Sequence, residues 1–242
     1  MLKKLSYNLA LFRDLGTEPK ELRAHEVIDT NRLNSAKELH AKIFHARGFV
    51  KDTDLIKQGR VIGEKEDPYQ GHSRYFIVER SDGETKRVVA SSRLILSDPT
   101  KGHQSFQTYR HQKLNSIAAT AIERTKPEQC AEVSGLVKEP GENTIVTLML
   151  YREMWRFSLK KKHELWLMSC DANLYKRLKL LFGNALIQAG EKTYFKGHEI
   201  VPVILEVPAS LQRVKEIRHL NPVKQQLQQK LVKFFLKDPV TE

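Results

Sequence analysis

The clearest pattern of hydrophobic and polar positions in this chain is a pair of strand-like runs joined by a turn. Both runs, residues 73–80 and 88–96, are rich in β-branched and aromatic residues, and Asp82-Gly83 lies between them. An Asp-Gly pair between two such runs is typical of a tight turn, so the sequence predicts one β-hairpin. Arg93 lies within the second run, where a charge among apolar neighbours needs a partner or a role.

Further strands and helices alternate around this hairpin. Strands are predicted near residues 22–28, 129–137, 164–170 and 200–207. Apolar positions at helical spacing predict helices near residues 32–47, 113–124, 142–160 and 173–182. Residues 48–72 show no sustained period, so a long loop is predicted there. This order predicts a mixed α/β (α+β) sheet flanked by helices, in a single domain over residues 1–242.

Both ends of the chain are predicted to form amphipathic helices. Apolar side chains recur at helical spacing in residues 1–15, and an apolar face alternates with lysine and glutamine in residues 222–237. Packing of each helix against the domain is the favoured interpretation. Peripheral contact with a membrane surface is the alternative for both.

The chain carries a net charge of +12, from 41 Lys and Arg against 29 Asp and Glu. Long-range attraction therefore favours an anionic partner, and nucleic acid, anionic lipid, coenzyme A and an acidic carrier protein all meet this condition. A basic nucleic-acid-binding module is the rival interpretation from another class. Because no aromatic-basic RNA motif or helix-turn-helix pattern is present, we expect no specific nucleic acid partner.

Cysteine and histidine usage narrows the chemistry further. Cys130 and Cys170 lie in apolar strand-like runs without a Cys-x-x-Cys spacing, which predicts reduced core thiols in a cytoplasmic protein. The nine histidines are scattered without the spacing of zinc ligands, so neither a metal site nor a bound cofactor is predicted. No apolar run is long enough to span a bilayer.

A second embedded charge, Glu132, stands in the apolar run of residues 129–137. Partial burial would raise its pKa toward neutrality, as a general base requires, and Ser134 shares its face of the strand. A glutamate that only pairs with Arg93 across the sheet fits the same pattern. Both interpretations stay open at this point.

The order of these features resembles the acyl-homoserine-lactone autoinducer synthases and the N-acyl amino acid synthases of the GNAT-like acyltransferase superfamily. The matching phrases are Gly48-Phe49, Glu66-Asp67, Arg74-Tyr75-Phe76, Ser92-Arg93-Leu94-Ile95, Ala131-Glu132-Val133-Ser134 and residues 195–202. They span roughly residues 25–206, and their order carries the resemblance because each phrase is short. The resemblance implies a mostly antiparallel twisted sheet in which the central strands at 130–138 and 164–170 splay apart.

The same resemblance implies an N-acyltransferase. Such an enzyme moves a fatty acyl group from an acyl-phosphopantetheine thioester to the amine of an amino acid or a related small metabolite. Glu132 and Ser134 fall in the motif where the relatives keep a functional glutamate, so Glu132 is the expected general base. Backbone N–H groups near Leu136 and Val137 are expected to stabilise the oxyanion of the tetrahedral intermediate.

The acceptor side is expected at the acidic loop and the hairpin, with Asp67, Arg74, Phe76 and Arg93 as binding residues. An arginine suits an amino-acid carboxylate because its planar fork binds bidentately. For Arg93, a buried ion network that holds the loop to the sheet is an equal alternative. A tunnel for the acyl chain is expected to be lined by Trp166 and Met168.

The phosphate of the donor is expected beside a helix N-terminus, at Lys138, Gly141 and Asn143. Glu139 and Glu142 place negative charge where a pyrophosphate would lie, which favours an acyl carrier protein over coenzyme A as the donor. A basic run on the following helix is expected to dock the acidic carrier. Its assigned residues are Arg152, Arg156 and Lys160.

A narrower alternative is lactone formation, in which S-adenosylmethionine is the acceptor. Autoinducer synthases usually carry an arginine soon after the glutamate-serine pair, and Gly135 stands there in this chain. That departure favours an amino-acid product. A GNAT-like fold that has lost activity and serves as a binding protein is the third alternative.

Overall fold

A computed structural model describes residues 18–49, 56–57, 60–61, 67–195, 197–216 and 222–237. The predicted helix at residues 1–15 lies outside the described residues, as does Glu66 of the acidic loop. The loop prediction at residues 48–72 is partly covered.

Ten strands occur within the described residues. They are Leu22–Glu26 (β1), Ile56–Lys57 (β2), Arg60–Val61 (β3), Ser73–Asp82 (β4), Thr85–Leu96 (β5), Cys130–Lys138 (β6), Leu165–Asp171 (β7), Leu186–Gln188 (β8), Thr193–Phe195 (β9) and His198–Glu206 (β10). Eight of them form one sheet in the order β1-β4-β5-β6-β7-β10-β8, with β9 also paired to β10, while β2 pairs with β3. Pairs in the large sheet are antiparallel except β6 with β7, so the mostly antiparallel mixed sheet is confirmed.

The predicted hairpin is formed by β4 and β5. Its ladder closes at Asp82 opposite Thr85, and Gly83 in the turn has φ +66°, a left-handed conformation that glycine adopts without strain. The hairpin brings Arg93 into the middle of the sheet, between β4 and β6.

The strands β6 and β7 run parallel but pair over a short stretch, from Cys130 opposite Leu165 to Val133 opposite Met168. The ladder ends there, although β6 continues to Lys138 and β7 continues beyond Met168. The splayed central pair that the resemblance implies is therefore present. It opens a cleft in the middle of the sheet.

Seven α-helices occur within the described residues. They are Thr30–Ala46 (α1), Gln107–His111 (α2), Ser116–Arg124 (α3), Thr144–Lys160 (α4), Ala172–Phe182 (α5), Val207–Glu216 (α6) and Pro222–Leu236 (α7). The hydroxyl of Ser91 on β5 donates to the carbonyl of Ala36 on α1, whereas the adjacent Ala90 packs in the core cluster that contains α4. Because successive strand residues point to opposite faces, α1 and α4 cover opposite faces of the sheet.

The main hydrophobic core lies between the sheet and α4, and α7 packs onto it. Phe234 and Phe235 of α7 are buried, and the guanidinium of Arg152 lies 4.4 Å above the ring of Phe234. Cys130 and Cys170 are free and buried, and burial raises the pKa of each thiol to about 12. No helix among the described residues is long and apolar enough to cross a membrane.

Candidate active site

Two cavities open where β6 and β7 separate. The first has a volume of about 570 Å³, and Glu132 and Ser134 are part of its wall. The second has a volume of about 510 Å³, and Val137 and Lys138 are part of its wall. Leu136 lines both, so the cavities adjoin at the splay.

Glu132 lies at the wall of the first cavity with only 2% of its surface exposed. The backbone N–H of Thr108 donates to Glu132 Oε1 at 3.1 Å, and the Thr108 hydroxyl donates to the same oxygen at 2.8 Å. Burial raises the pKa of Glu132 to about 7, although these hydrogen bonds act in the opposite direction. A carboxylate with this pKa can take up and release a proton near neutral pH, as a general base must.

Arg93 is not the ionic partner of Glu132. In the ladder of β5 and β6, Arg93 lies opposite Ser134. Its guanidinium pairs with Asp67 and donates to the Tyr75 hydroxyl at 3.2 Å. The cross-strand ion pair between Glu132 and Arg93 that the sequence suggested is therefore not formed. Arg93 instead ties Asp67 of the acidic loop to the sheet.

Two residues near Glu132, Thr108 and Ser169, were not predicted from the sequence. Thr108 comes from α2, which is too short to show a helical period, and its hydroxyl lies 2.9 Å from Ser169 Oγ on β7. Ser169 is exposed and lines the first cavity. The one signal in the sequence is a polar residue within the otherwise apolar run of β7. The neighbourhood of α2 also adds polar groups to this cavity, namely Gln107, His111 and Gln112.

The register of β6 against β5 shifts by one residue between Ser91 and Arg93, which gives β6 an extra residue in this stretch. Gly135 lies in this bulge with φ +64°. Such a bulge re-aims the backbone locally, and the next residue, Leu136, lines both cavities.

The residues predicted for the acceptor and the acyl chain are not all brought together. Met168 lines the first cavity. Arg74 is 57% exposed and lies 3.9 Å from Glu26. Phe76 and Trp166 are buried in the core and line neither cavity. These positions do not favour substrate-binding roles for Arg74, Phe76 and Trp166. The three roles remain untested predictions.

Of the three residues predicted for the phosphate, Lys138 lines the second cavity, whereas Gly141 and Asn143 are not part of its wall. The Lys138 ammonium donates to the carbonyl of Glu142. Asn143 is the N-cap residue of α4, and Gly141 comes shortly before it with φ +88°. Partial burial lowers the pKa of Lys138, and the Arg177 cation lowers it further.

Glu139 and Glu142, beside that site, each form an ion pair with an arginine. Glu142 pairs with Arg80 at 2.6 Å, and Glu139 pairs with Arg87. Their repulsion of a second phosphate is therefore smaller than the sequence indicates. These ion pairs weaken the sequence argument for a carrier protein over coenzyme A.

The predicted docking run extends along α4 away from the second cavity. Arg152 is buried and pairs with Glu18 at 2.6 Å, so it holds the helix rather than facing solvent. Arg156 pairs with Glu153 at 2.7 Å. Lys160 is exposed and ends the helix, about 24 Å from its first residue at the usual helical rise. A carrier-docking role for this run stays a prediction.

No protein-family model matches the chain, and no curated protein matches it by sequence. Solved structures do. FeeM, an N-acyl amino acid synthase from uncultured soil microbes, superposes with a TM-score of 0.57 at 13% identity, over 79% of this chain and 95% of its own. The AHL synthase LasI gives 0.54 at 16% identity, over 77% and 89%.

A third solved structure, the CoA-dependent acyl-homoserine lactone synthase BjaI, gives a TM-score of 0.53 at 13% identity, over 88% of this chain and 89% of its own. At these identities the similarity is one of fold. The expected GNAT-like fold and the resemblance to both kinds of synthase are thereby confirmed.

Proposed function

We propose that this protein is an N-acyltransferase that moves an acyl group from a pantetheine thioester to a primary amine. The observation that carries the proposal is the position of Glu132, a buried carboxylate with its pKa raised to about 7 where β6 and β7 separate. Two adjoining cavities at the splay let two substrates reach one point, and Glu132 is the proton acceptor there. The likeness in fold to FeeM, LasI and BjaI supports this proposal.

The donor occupies the second cavity. Its extended pantetheine arm lies along the unpaired part of β6, in the manner of an added strand. The phosphate lies by Lys138 and the N-terminus of α4, where a cation and backbone N–H groups attract an anion. The thioester carbonyl then comes to the bulge, and the N–H of Leu136 donates to its oxygen.

The acceptor amine occupies the first cavity beside Glu132. An α-amino group has a pKa of about 7.7–8.0, so much of it arrives as ammonium near neutral pH. Glu132 takes one proton, the neutral nitrogen attacks the carbonyl, and a C–N bond forms. Collapse of the intermediate breaks the C–S bond, and the amine's second proton ends on the departing thiol.

Two finer assignments belong to this proposal. The acceptor is an amino acid or related small metabolite and the acyl group is fatty, because the wall of the first cavity combines polar groups near α2 with apolar ones such as Met168 and Phe44. FeeM is named as an N-acyl amino acid synthase, which supports this choice. The donor is an acyl carrier protein or an acyl-coenzyme A. Because Glu139 and Glu142 are paired with arginines, their charges do not favour one donor over the other.

The test is direct assay of the purified chain. Fatty acyl-coenzyme A and acyl carrier protein are each offered with a panel of amino acids, thiol release is followed, and products are identified by mass spectrometry. S-adenosylmethionine serves as a separate acceptor, since lactone formation from it would establish the narrower alternative. Absence of amide and lactone with every donor would overturn the proposal.

Substitution of Glu132 ties the activity to the site. Glu132→Gln should lower kcat/KM by roughly 10²–10⁴, because it removes the general base and keeps the shape. Glu128→Gln, at an exposed glutamate just before β6, is the matched control and should change kcat/KM by less than about twofold. Full turnover in folded Glu132→Gln would exclude Glu132 as the base.

A further inference from the structure

The hydroxyl of Thr108 connects Glu132 to a residue of the opposite strand. Thr108 Oγ1 lies 2.8 Å from Glu132 Oε1 and 2.9 Å from Ser169 Oγ. Thr108 is fully buried, whereas Ser169 is exposed on the wall of the first cavity. The three side chains therefore form a continuous hydrogen-bonded chain from the cavity to the buried carboxylate.

The direction of this chain follows from its chemistry. An ionised carboxylate only accepts hydrogen bonds, so the single hydroxyl hydrogen of Thr108 points to Glu132. Thr108 Oγ1 then accepts from Ser169, whose own hydrogen is used in that bond. The oxygen of Ser169 keeps a lone pair for a donor in the cavity.

We propose that Ser169 and Thr108 relay a proton from the acceptor ammonium in the first cavity to Glu132. The proposal rests on the proposed acyl transfer. In the relay an N–H bond of the ammonium breaks and a new O–H bond forms on Ser169. The former Ser169 proton moves to Thr108 Oγ1, the former Thr108 proton moves to Glu132 Oε1, and the nitrogen is left neutral.

Burial explains why a relay serves this site. Glu132 is 2% exposed, so an ammonium that came into direct contact with it would lose most of its water. Ser169 offers an acceptor at the cavity surface instead, and hydrogen-bonded chains strengthen each member in a low dielectric. Burial also raises the pKa of Glu132 to about 7, close to that of the amine it serves.

Other charged or titratable groups that face this region come from five elements. They are Arg93 on β5, whose charge acts on Glu132, and the cavity-lining Arg47 next to α1, His111 on α2, Tyr151 on α4, and Cys170 and Asp171 on β7. Their substitution would shift pH profiles by charge alone. The test therefore uses only neutral replacements of the two hydroxyls.

The first measurement is the pH dependence of acyl transfer in Ser169→Ala and Thr108→Val. Near pH 7 each variant should lose about 10- to 100-fold in kcat/KM, because the ammonium is no longer deprotonated through the chain. At about pH 9.5 the loss should shrink to less than about threefold, since most α-amino groups are then neutral without help. Thr108→Ser, which keeps the hydroxyl, should restore most of the activity.

Thr125→Val is the matched control, because its hydroxyl also donates to a protein acceptor, the carbonyl of Ala121 at 2.9 Å, away from the cavities. It should leave the pH profile unchanged. An equal loss at both pH values would show that the hydroxyls only support the fold. No loss near pH 7 would show that Glu132 takes the proton directly, and either result overturns the relay.

A second measurement does not depend on turnover. The Glu132 carboxyl is followed by ¹³C NMR titration, with Glu132→Gln to assign the signal. Thr108→Val should raise the pKa of Glu132 because a donor to the carboxylate is lost, and Ser169→Ala should raise it by a smaller amount because the chain is coupled. No shift in Ser169→Ala would overturn the relay, even if the wild-type protein transferred acyl groups. Coupled shifts in a chain that transfers no acyl group would instead locate the failure in the proposed function.

Discussion

Nε2 of His40 lies 3.2 Å from the position that a Cβ atom on Gly135 would occupy. The ring of His40, on α1, therefore sits directly on the bulge of β6, and its centroid is 3.9 Å from that of Phe44. Burial lowers the pKa of His40 to about 4, with a further contribution from the Arg93 cation, so the ring is neutral near pH 7. A side chain at residue 135 would have to displace it.

Gly135→Ala is expected to destabilise the fold by about 2–3 kcal/mol, through left-handed backbone strain and the contact with His40. Gly83→Ala is the matched control, since Gly83 has a similar φ of +66° but no atom lies within 4 Å of the place that its Cβ would take. It should cost only about 1 kcal/mol of strain. Urea denaturation of both variants measures the difference, and equal losses would contradict the packing of His40 on the bulge.

The hairpin and the Glu132 strand could be predicted because their signals are local. Asp82-Gly83 marks the turn by itself, and a glutamate in an apolar run is visible without any knowledge of its neighbours. The partner of Glu132 could not be predicted, because pairing across strands depends on register. In the observed register Ser134, and not Glu132, lies opposite Arg93.

Other contacts could not be predicted because they join residues that are far apart in the sequence. Thr108 reaches Glu132 from a five-residue helix whose own sequence has no period to detect. Arg152 belongs to a run of cations that is typical of a solvated surface. It is nevertheless buried and pairs with Glu18, which is 134 positions away in the chain. Neither contact leaves a mark in the local pattern of apolar and polar positions.

A second prediction concerns the pair of Arg93 and Asp67, whose side chains are 14% and 30% exposed. Asp67→Asn leaves the guanidinium without its carboxylate, so we expect a loss of about 1–3 kcal/mol in unfolding free energy. Glu26→Gln is the control, because Glu26 lies 3.9 Å from the largely exposed Arg74, and it should cost less than about 1 kcal/mol. If the two variants unfolded at the same urea concentration, the network would not hold the loop to the sheet.

Acid should destabilise the protein in part through His163. His163 is 5% exposed and lies 3.2 Å from the Ser158 hydroxyl, and burial lowers its pKa to about 4, helped by Lys161. As the pH falls below about 6.5 the unfolded chain binds a proton that the folded chain does not, so stability is lost between about pH 6.5 and 4.

His163→Gln should remove that part of the acid sensitivity. Between about pH 7 and 4.5 the variant should lose about 2 kcal/mol less unfolding free energy than the wild type. Denaturant midpoints across the pH range measure this difference. Parallel curves for the two proteins would mean that His163 titrates alike in the folded and unfolded chains.

The last prediction decides where the donor docks. Arg177 is exposed at the second cavity, and its charge acts on Lys138 beside the proposed phosphate position. Arg177→Glu should therefore lower kcat/KM about tenfold for carrier-protein or coenzyme A donors, with a weaker dependence on salt, because charges at a docking surface act mainly on association. N-acetylcysteamine thioesters carry no phosphate and should be turned over at nearly the wild-type rate.

The matched comparison is the double change Arg156→Glu with Lys160→Glu in the far half of α4. Because Lys160 lies about 24 Å from the start of that helix, we expect this variant to lose less than Arg177→Glu with every donor. A larger loss with carrier protein alone would move the docking surface to the far half of α4. An equal loss with N-acetylcysteamine thioesters in either variant would mean that the substitution had damaged the fold and not the docking of the donor.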